Sequence, residues 1–191
     1  MASTIFTNLL NKQSEPFHRA RILAASAQHS GDWLHALPIT ACGLRLSDDA
    51  VRIAVGLRLG CKLCEPHKCS CGAVVDESGR HGLSCRRSAG RIARHHYIND
   101  LLWRALSRAG VPAVKEPAGL SRSDGKRPDG MTLIPWREGR SVLWDVTIRD
   151  MTAHSYLSKT SSAAGAAAEE AAVQKESKYA DLCTDYLFCP V

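Results

Sequence analysis

Two groups of residues in this chain have types and spacings that can do chemistry. The first is the stretch CKLCEPHKCSCGAVVDESGRHGLSC, which holds Cys61, Cys64, His67, Cys69, Cys71, His81 and Cys85. Zinc takes four sulfur or imidazole ligands at tetrahedral corners. Cys69-x-Cys71 followed by Gly72 supplies a tight turn, because glycine lets the backbone fold back beneath two thiolates. His81-x3-Cys85 places two more ligands one helical turn apart on a common face. The preferred ligand set is therefore Cys69, Cys71, His81 and Cys85. The alternative takes Cys61 and Cys64 as the first pair, since Cys-x2-Cys is the commoner zinc spacing. Buried free thiols are the plainest explanation, but apolar packing does not require such density. Val74, Val75 and the turn at Asp76-Glu77-Ser78-Gly79 read as a hairpin between the two ligand pairs.

The residues around and after the cluster are basic. Arg80, Arg86, Arg87, Arg91 and Arg94, with His95 and His96, fall in a run that contains no acidic residue. A zinc-stapled turn leading into such a helix suits phosphate contacts, with Arg86, Arg87, Arg91 and Arg94 as the candidate nucleic-acid ligands. The bland alternative is a solvated helix face.

The second group is a pair of carboxylates. Arg127-Pro128-Asp129-Gly130 opens one strand candidate, and Asp145 lies inside the next, in SVLWDVTI. Alternation puts Trp144, Val146 and Ile148 on a core face and Leu143, Asp145 and Thr147 on the other. An aspartate in an otherwise apolar strand is costly unless it is paired or binds a metal. Two aspartates from adjacent strands can share a hard divalent cation, and Mg²⁺ characteristically takes one or two carboxylates plus phosphate oxygens. Capping of a turn by Asp129 and an ion pair for Asp145 are the alternatives.

These side chains need elements to hold them. Residues 1–60 read as helical, with Ser47 capping a helix that Gly60 ends, and with Trp33, Leu34 and Leu37 as packing anchors. This segment reads as scaffold, residues 61–90 as a zinc knuckle, and 91–191 as a further domain. Residues 91–109 have helical periodicity, with Ile98, Leu101, Leu102, Ala105 and Leu106 on one face. Strands follow in VPAVKEP, MTLIPW and SVLWDVTI, with a turn at 121–126. The Ala-rich run over about 161–181 reads as one helix, because alanine is the best helix former. YLFCPV is a last strand. The fold class expected is mixed α/β (α+β), in the order helix, three strands, helix, strand.

Composition agrees with a globular chain. Of 191 residues, 45% are hydrophobic and 23% charged, and 25 Lys and Arg against 19 Asp and Glu give a net charge of +6. That excludes collagen-like and wholly disordered classes and permits a polyanionic partner. No apolar run approaches the roughly 20 residues of a membrane span, so no membrane partner is expected. MASTIFTNLLNKQ has no basic flank before an apolar run, so no secretory signal is read, and disulfides are not expected.

Taken in order, GLRLG, CSCG, HGLSC, ARHHYINDLL, VKEPAGLSRSDGKRPDGMTLIPW, LWDVTI and SAAGAAAEEAAVQKESKY resemble the C-terminal region of non-LTR retrotransposon reverse-transcriptase polyproteins. The resemblance covers roughly residues 55–191. It implies a zinc knuckle preceding a restriction-like endonuclease of the PD-(D/E)XK class. Asp129 and Asp145 match that family's two acidic residues, which implies catalytic Mg²⁺ beside structural Zn²⁺. The motif's lysine falls at position 147, where this chain has Thr147. Some members of the class draw the lysine from the following helix, which implies Lys175, with Lys178 as its rival. Glu116 is a possible accessory ligand, with a surface or turn role the alternative. The implied partner is a DNA duplex, with RNA as an alternative polymer, and the implied location is the nucleus. With no room for a polymerase upstream, the chain is expected to be a fragment, truncated at its C-terminus. A catalytically inactive zinc-dependent nucleic-acid-binding module is the competing expectation.

Overall fold

The computed structural model describes residues 2–120 and 125–191, with the side chains of residues 2, 3, 89 and 91 outside that description. Four helices and a small hairpin come first: α1 (Ala2–Asn11), α2 (Pro16–Ser26), α3 (Asp48–Leu59), β1 (His67–Lys68), β2 (Val74–Val75) and α4 (His81–Ser84). Then follow α5 (Ala89–Arg108), β3 (Ala113–Lys115), β4 (Gly130–Thr132), β5 (Val142–Asp145), α6 (His154–Thr160), α7 (Ala166–Lys178) and β6 (Leu187–Pro190). The fold is mixed α+β. The chain divides into two compact units, Met1–Ser88 with Asp150–Ala167, and Ala89–Arg149 with Ala168–Val191. The first unit groups the N-terminal helices with the cysteine-rich segment.

In the first unit, local chemistry sets the helix ends. Proline opens α2, where a missing N–H costs nothing. Ser47 Oγ accepts the Ala50 N–H at 3.2 Å to cap α3, and Gly60 (φ 73°) closes it in the left-handed region. Arg58 of α3 donates to the Ser30 and Ala25 carbonyls at 2.7 and 3.0 Å, satisfying acceptors in the last turn of α2 and just beyond it. α6 packs on α2, where Ala20 is buried. The sequence reading differs here in two places. Leu34 and Leu37 are 58% and 68% exposed, so they are not packing anchors. The helix read over 161–181 is shorter, α7 over Ala166–Lys178 following Gly165 at φ 78°, and α6, which lies before residue 161, is a further helix.

The second unit is a four-stranded sheet in the order β3-β4-β5-β6. β4 pairs antiparallel with β3 and β5, whereas β6 runs parallel to β5. A parallel neighbour needs a long crossover, and the intervening chain with α7 provides it. Leu143, Trp144, Asp145 and Val146 are all at most 4% exposed. β5 is thus covered on both faces, not on the Trp144 face alone. The face of α5 turned inward carries Asn99, with Ile98, Leu102 and Leu106 half-buried, while Leu101 is 58% exposed instead of packed as its periodicity suggested. β4 is shorter than MTLIPW, because Thr132 Oγ1 donates to the Ile134 carbonyl and the chain turns away. Of the turn read at 121–126, residues 121–124 lie outside the described residues. Gly130 is required by packing: a Cβ there would overlap the Trp144 indole directly across the strand pair.

Candidate functional site

The cysteine-rich segment folds as a knuckle. β1 and β2 pair His67 with Val75 and Lys68 with Val74, so the hairpin turn is Cys69-Ser70-Cys71-Gly72. This corrects the sequence reading, which set the hairpin turn at Asp76–Gly79. The turn itself carries two of the candidate ligands, Cys69 and Cys71. Gly72 sits at φ 91°, and the Cys69 N–H donates to the Ala73 carbonyl at 2.9 Å, closing the loop under the thiols. α4 then presents His81, with Cys85 at its C-terminal end. The donor atoms of Cys69, Cys71, His81 and Cys85 all lie within 4.8 Å of one another. Cys69 Sγ and Cys85 Sγ are 3.7 Å apart, close to the roughly 3.8 Å edge of a tetrahedron with zinc–sulfur bonds of about 2.3 Å. Cys71 Sγ and His81 Nε2 are 3.1 Å apart.

This Cys3His cluster can hold a zinc ion. The Cys71 backbone N–H, with help from the Cys71, Cys85 and His81 side chains, lowers the Cys69 thiol to about 6, so a thiolate is available at neutral pH. The alternative pair is elsewhere: Cys64 Sγ donates to the Asp76 carbonyl at 3.3 Å and Cys61 is exposed. His67 Nδ1 donates to the Glu65 carbonyl at 2.8 Å.

Around the knuckle the arginines have separate roles. Arg87 donates to the Ser70 carbonyl at 2.7 Å, bracing the ligand-bearing turn. Arg80 pairs with Asp76 and lies 3.8 Å over the Phe17 ring. Arg86 is exposed, Arg94 is half-buried, and the Arg91 side chain is outside the described residues.

The carboxylates meet on the sheet. Gly130 is registered with Trp144 and Met131 with Leu143, which sets Asp129 directly opposite Asp145 where β4 begins and β5 ends. The Asp129 N–H donates to the Trp144 carbonyl at 2.9 Å, and the Val146 N–H donates to Asp129 Oδ2 at 2.7 Å. Asp145, 4% exposed, receives Lys175 Nζ on Oδ2, and Lys178 Nζ lies 3.8 Å from that oxygen. The two lysines are one turn apart on α7 and face the same carboxylate. Asp129, Asp145 and Lys175 therefore converge. Glu116 pairs with Arg127 and is exposed; its φ is 50°, and its N–H donates to the Asp129 carbonyl at 2.9 Å, so it holds the backbone beside the site.

The surroundings of Asp129 oppose its charge. Burial raises the Asp129 carboxyl above its ordinary value; the Val146 N–H works against this, and the nearby Asp145 charge adds to the rise. Two hard-oxygen ligands facing each other, with burial and mutual repulsion to relieve, form a donor set that fits a divalent cation such as Mg²⁺. Thr147 Oγ1 is buried with no hydrogen-bond partner among the described residues. Alternation puts it on the Asp145 side of the strand, so it adds polar lining but no charge.

Sequence reasoning missed two members of this site. His95 Nε2 donates to Asp129 Oδ2 at 3.0 Å. Asn99 donates to the Asp129 carbonyl at 3.3 Å and accepts the Trp144 indole N–H at 2.8 Å. By sequence His95 falls in the basic run with Arg91 and Arg94. The available signal was its i, i+4 relation to Asn99 and thence to Leu102 and Leu106, which puts both on the inward face.

Comparison of the chain with protein-family models, with curated proteins and with solved structures gives no match. Among the described residues, no helix is long and apolar enough to cross a membrane.

Proposed function

We propose that this chain is a Mg²⁺-dependent DNA endonuclease of the nicking type, the C-terminal part of a retrotransposon-type polyprotein acting in the nucleus. In this reading the second unit is a restriction-endonuclease-like core, and the zinc knuckle, with Arg86 and Arg94, contributes to duplex binding. The observation that carries it is the convergence of Asp129, Asp145 and Lys175 at one end of β4 and β5.

Asp129 and Asp145 would hold the cation, with the Val146 carbonyl as a further oxygen. When bound, Mg²⁺ supplies Lewis-acid stabilisation of a phosphate and makes a water more acidic. The protein's residues do the rest. Asp145 anchors Lys175, so that its ammonium can order the attacking water or offset charge developing on the phosphate. Water adds to phosphorus and the P–O3′ bond breaks, leaving a 3′-hydroxyl and a 5′-phosphate. Such a 3′-hydroxyl is what a reverse transcriptase extends when it primes at its target. Lys175 thereby takes the place of the motif lysine that Thr147 lacks, and Lys178, beside the same oxygen, strengthens the local positive charge.

A second reading is a nucleic-acid-binding module without catalysis. Thr147 favours it, as does the direct Lys175–Asp145 ion pair, which occupies an oxygen the cation would use. A supercoiled-plasmid assay separates the two. Nicking that needs Mg²⁺, stops with EDTA and disappears in Asp145→Ala supports the endonuclease. Salt-dependent binding of DNA by zinc-loaded protein that never nicks it supports the module.

A further inference from the structure

Resting on the reading above, we propose that His95 is a positioning residue for the divalent-cation site: its Nε2–H fixes the Asp129 carboxylate so that Oδ1 faces the cation. The argument begins with how Asp129 is gripped. Its Oδ2 accepts two N–H groups, from His95 at 3.0 Å and from Val146 at 2.7 Å. Its Oδ1 accepts none among the described residues. A carboxylate whose one oxygen is committed to two donors cannot rotate without breaking both, so the other oxygen has a fixed direction.

The grip extends to the main chain. Asn99, one helical turn after His95, donates to the Asp129 carbonyl and accepts the Trp144 indole N–H. α5 thus holds Asp129 by side chain and by backbone, and through Trp144 it also holds the strand that carries Asp145. Asn99 is 6% exposed and Trp144 1%, so this frame is rigid and dry. The Asp129 side chain is 17% exposed and that of His95 34%, so the site itself stays open to solvent. Outer-shell donors of this kind orient metal-binding ligands, and losing one typically costs about 10- to 100-fold in metal affinity or activity. His95 is not assigned as a ligand, because its Nε2 already donates to Asp129.

The test uses the full zinc-loaded chain and Mn²⁺ as the probe cation, with binding read by electron paramagnetic resonance. A Mn²⁺ site lost in Asp145→Ala locates the signal. His95→Ala should then weaken Mn²⁺ binding about tenfold or more, with the melting temperature and zinc content little changed. His95→Gln, which keeps an N–H donor near the Nε2 position, should recover most of that affinity. On plasmid DNA, His95→Ala should lower kcat and leave KM for the duplex in place. Equal Mn²⁺ affinity for wild type and His95→Ala overturns this assignment alone. Gln as defective as Ala also overturns it, because the imidazole would then be needed for more than its N–H. Wild-type protein that binds no Mn²⁺, with or without a duplex, overturns the endonuclease reading itself.

Discussion

The knuckle and the carboxylate site are built in opposite ways. The four donors of the knuckle come from 69–85, and one hairpin turn and one helical turn bring them together. The carboxylate site collects His95, Asp129, Asp145 and Lys175 from a helix, two strands and a second helix. The first is a local device that a metal can staple. The second exists only if the sheet has formed in register, since a slip of one residue would turn either aspartate to the other face. Removing the metal should therefore unmake the first, whereas the second should keep its fold without one.

Zinc withdrawal is the largest effect that this difference predicts. The segment 61–88 buries few large apolar side chains; Val75 and Cys85 are buried, but Val74 is 71% exposed. Structural zinc sites of this size contribute about 10–16 kcal/mol of apparent binding free energy at neutral pH, and that is largely folding free energy. A chelator strong enough to strip the site, or Cys85→Ser, should disorder the knuckle, with loss of amide-exchange protection over 61–88. Protection in β4 and β5 should persist. A knuckle that stays protected without zinc would break the comparison from one side.

Next in size is the response of Asp145 to losing its cation partner. Lys175→Ala leaves a 4% exposed carboxylate with only Lys178, whose Nζ is 3.8 Å away. Breaking a buried ion pair from one side costs about 3–5 kcal/mol, and the remaining lysine should cut that to roughly half. Lys178→Ala should cost less, because the direct contact remains. Denaturant melts of the two variants check the order. If Lys178→Ala proves the more damaging, the roles of the two lysines are exchanged.

What the sequence disclosed follows the same division. The cluster of Cys69, Cys71, His81 and Cys85 was readable as the preferred set, with Cys61 and Cys64 as its rivals, because spacing within a turn implies geometry. The strands and the helices α5 and α7 were readable from periodicity and composition, whereas α6 was not. The covering of β5 on both faces was not, because its alternating pattern allowed one wet side, and burial of Asp145 depends on α7 supplying Lys175. His95 was hidden for a related reason. In a basic run it reads as one more cation, and only its register with Asn99 on α5 reveals that it points inward. The late start of α7 was masked by alanine, whose helix propensity says nothing about how far a glycine in the left-handed region, Gly165, holds a helix back.

The smallest effect is the most discriminating, because its sign differs from that of an ordinary core substitution. Asp129→Asn keeps the shape and an acceptor for the Val146 N–H but removes the charge. The folded protein holds the Asp129 carboxyl above its ordinary value of 3.8, through burial and then the Asp145 charge. A carboxyl raised in the folded state favours folding fully only below its unfolded pKa, and that contribution is lost as pH rises through the folded value. At neutral pH the ionised group is therefore a cost, and Asn should remove it. The variant should melt higher than wild type at pH 7 in Mg²⁺-free buffer. The gap should narrow as pH falls and wild type itself becomes protonated. Mg²⁺ should narrow it at pH 7 as well, because a cation that binds only the intact carboxylate pair stabilises wild type by mass action. A site kept for packing alone would show the pH dependence without the Mg²⁺ dependence. Both together would mean that the stability lost to two facing carboxylates is recovered when a divalent cation binds them.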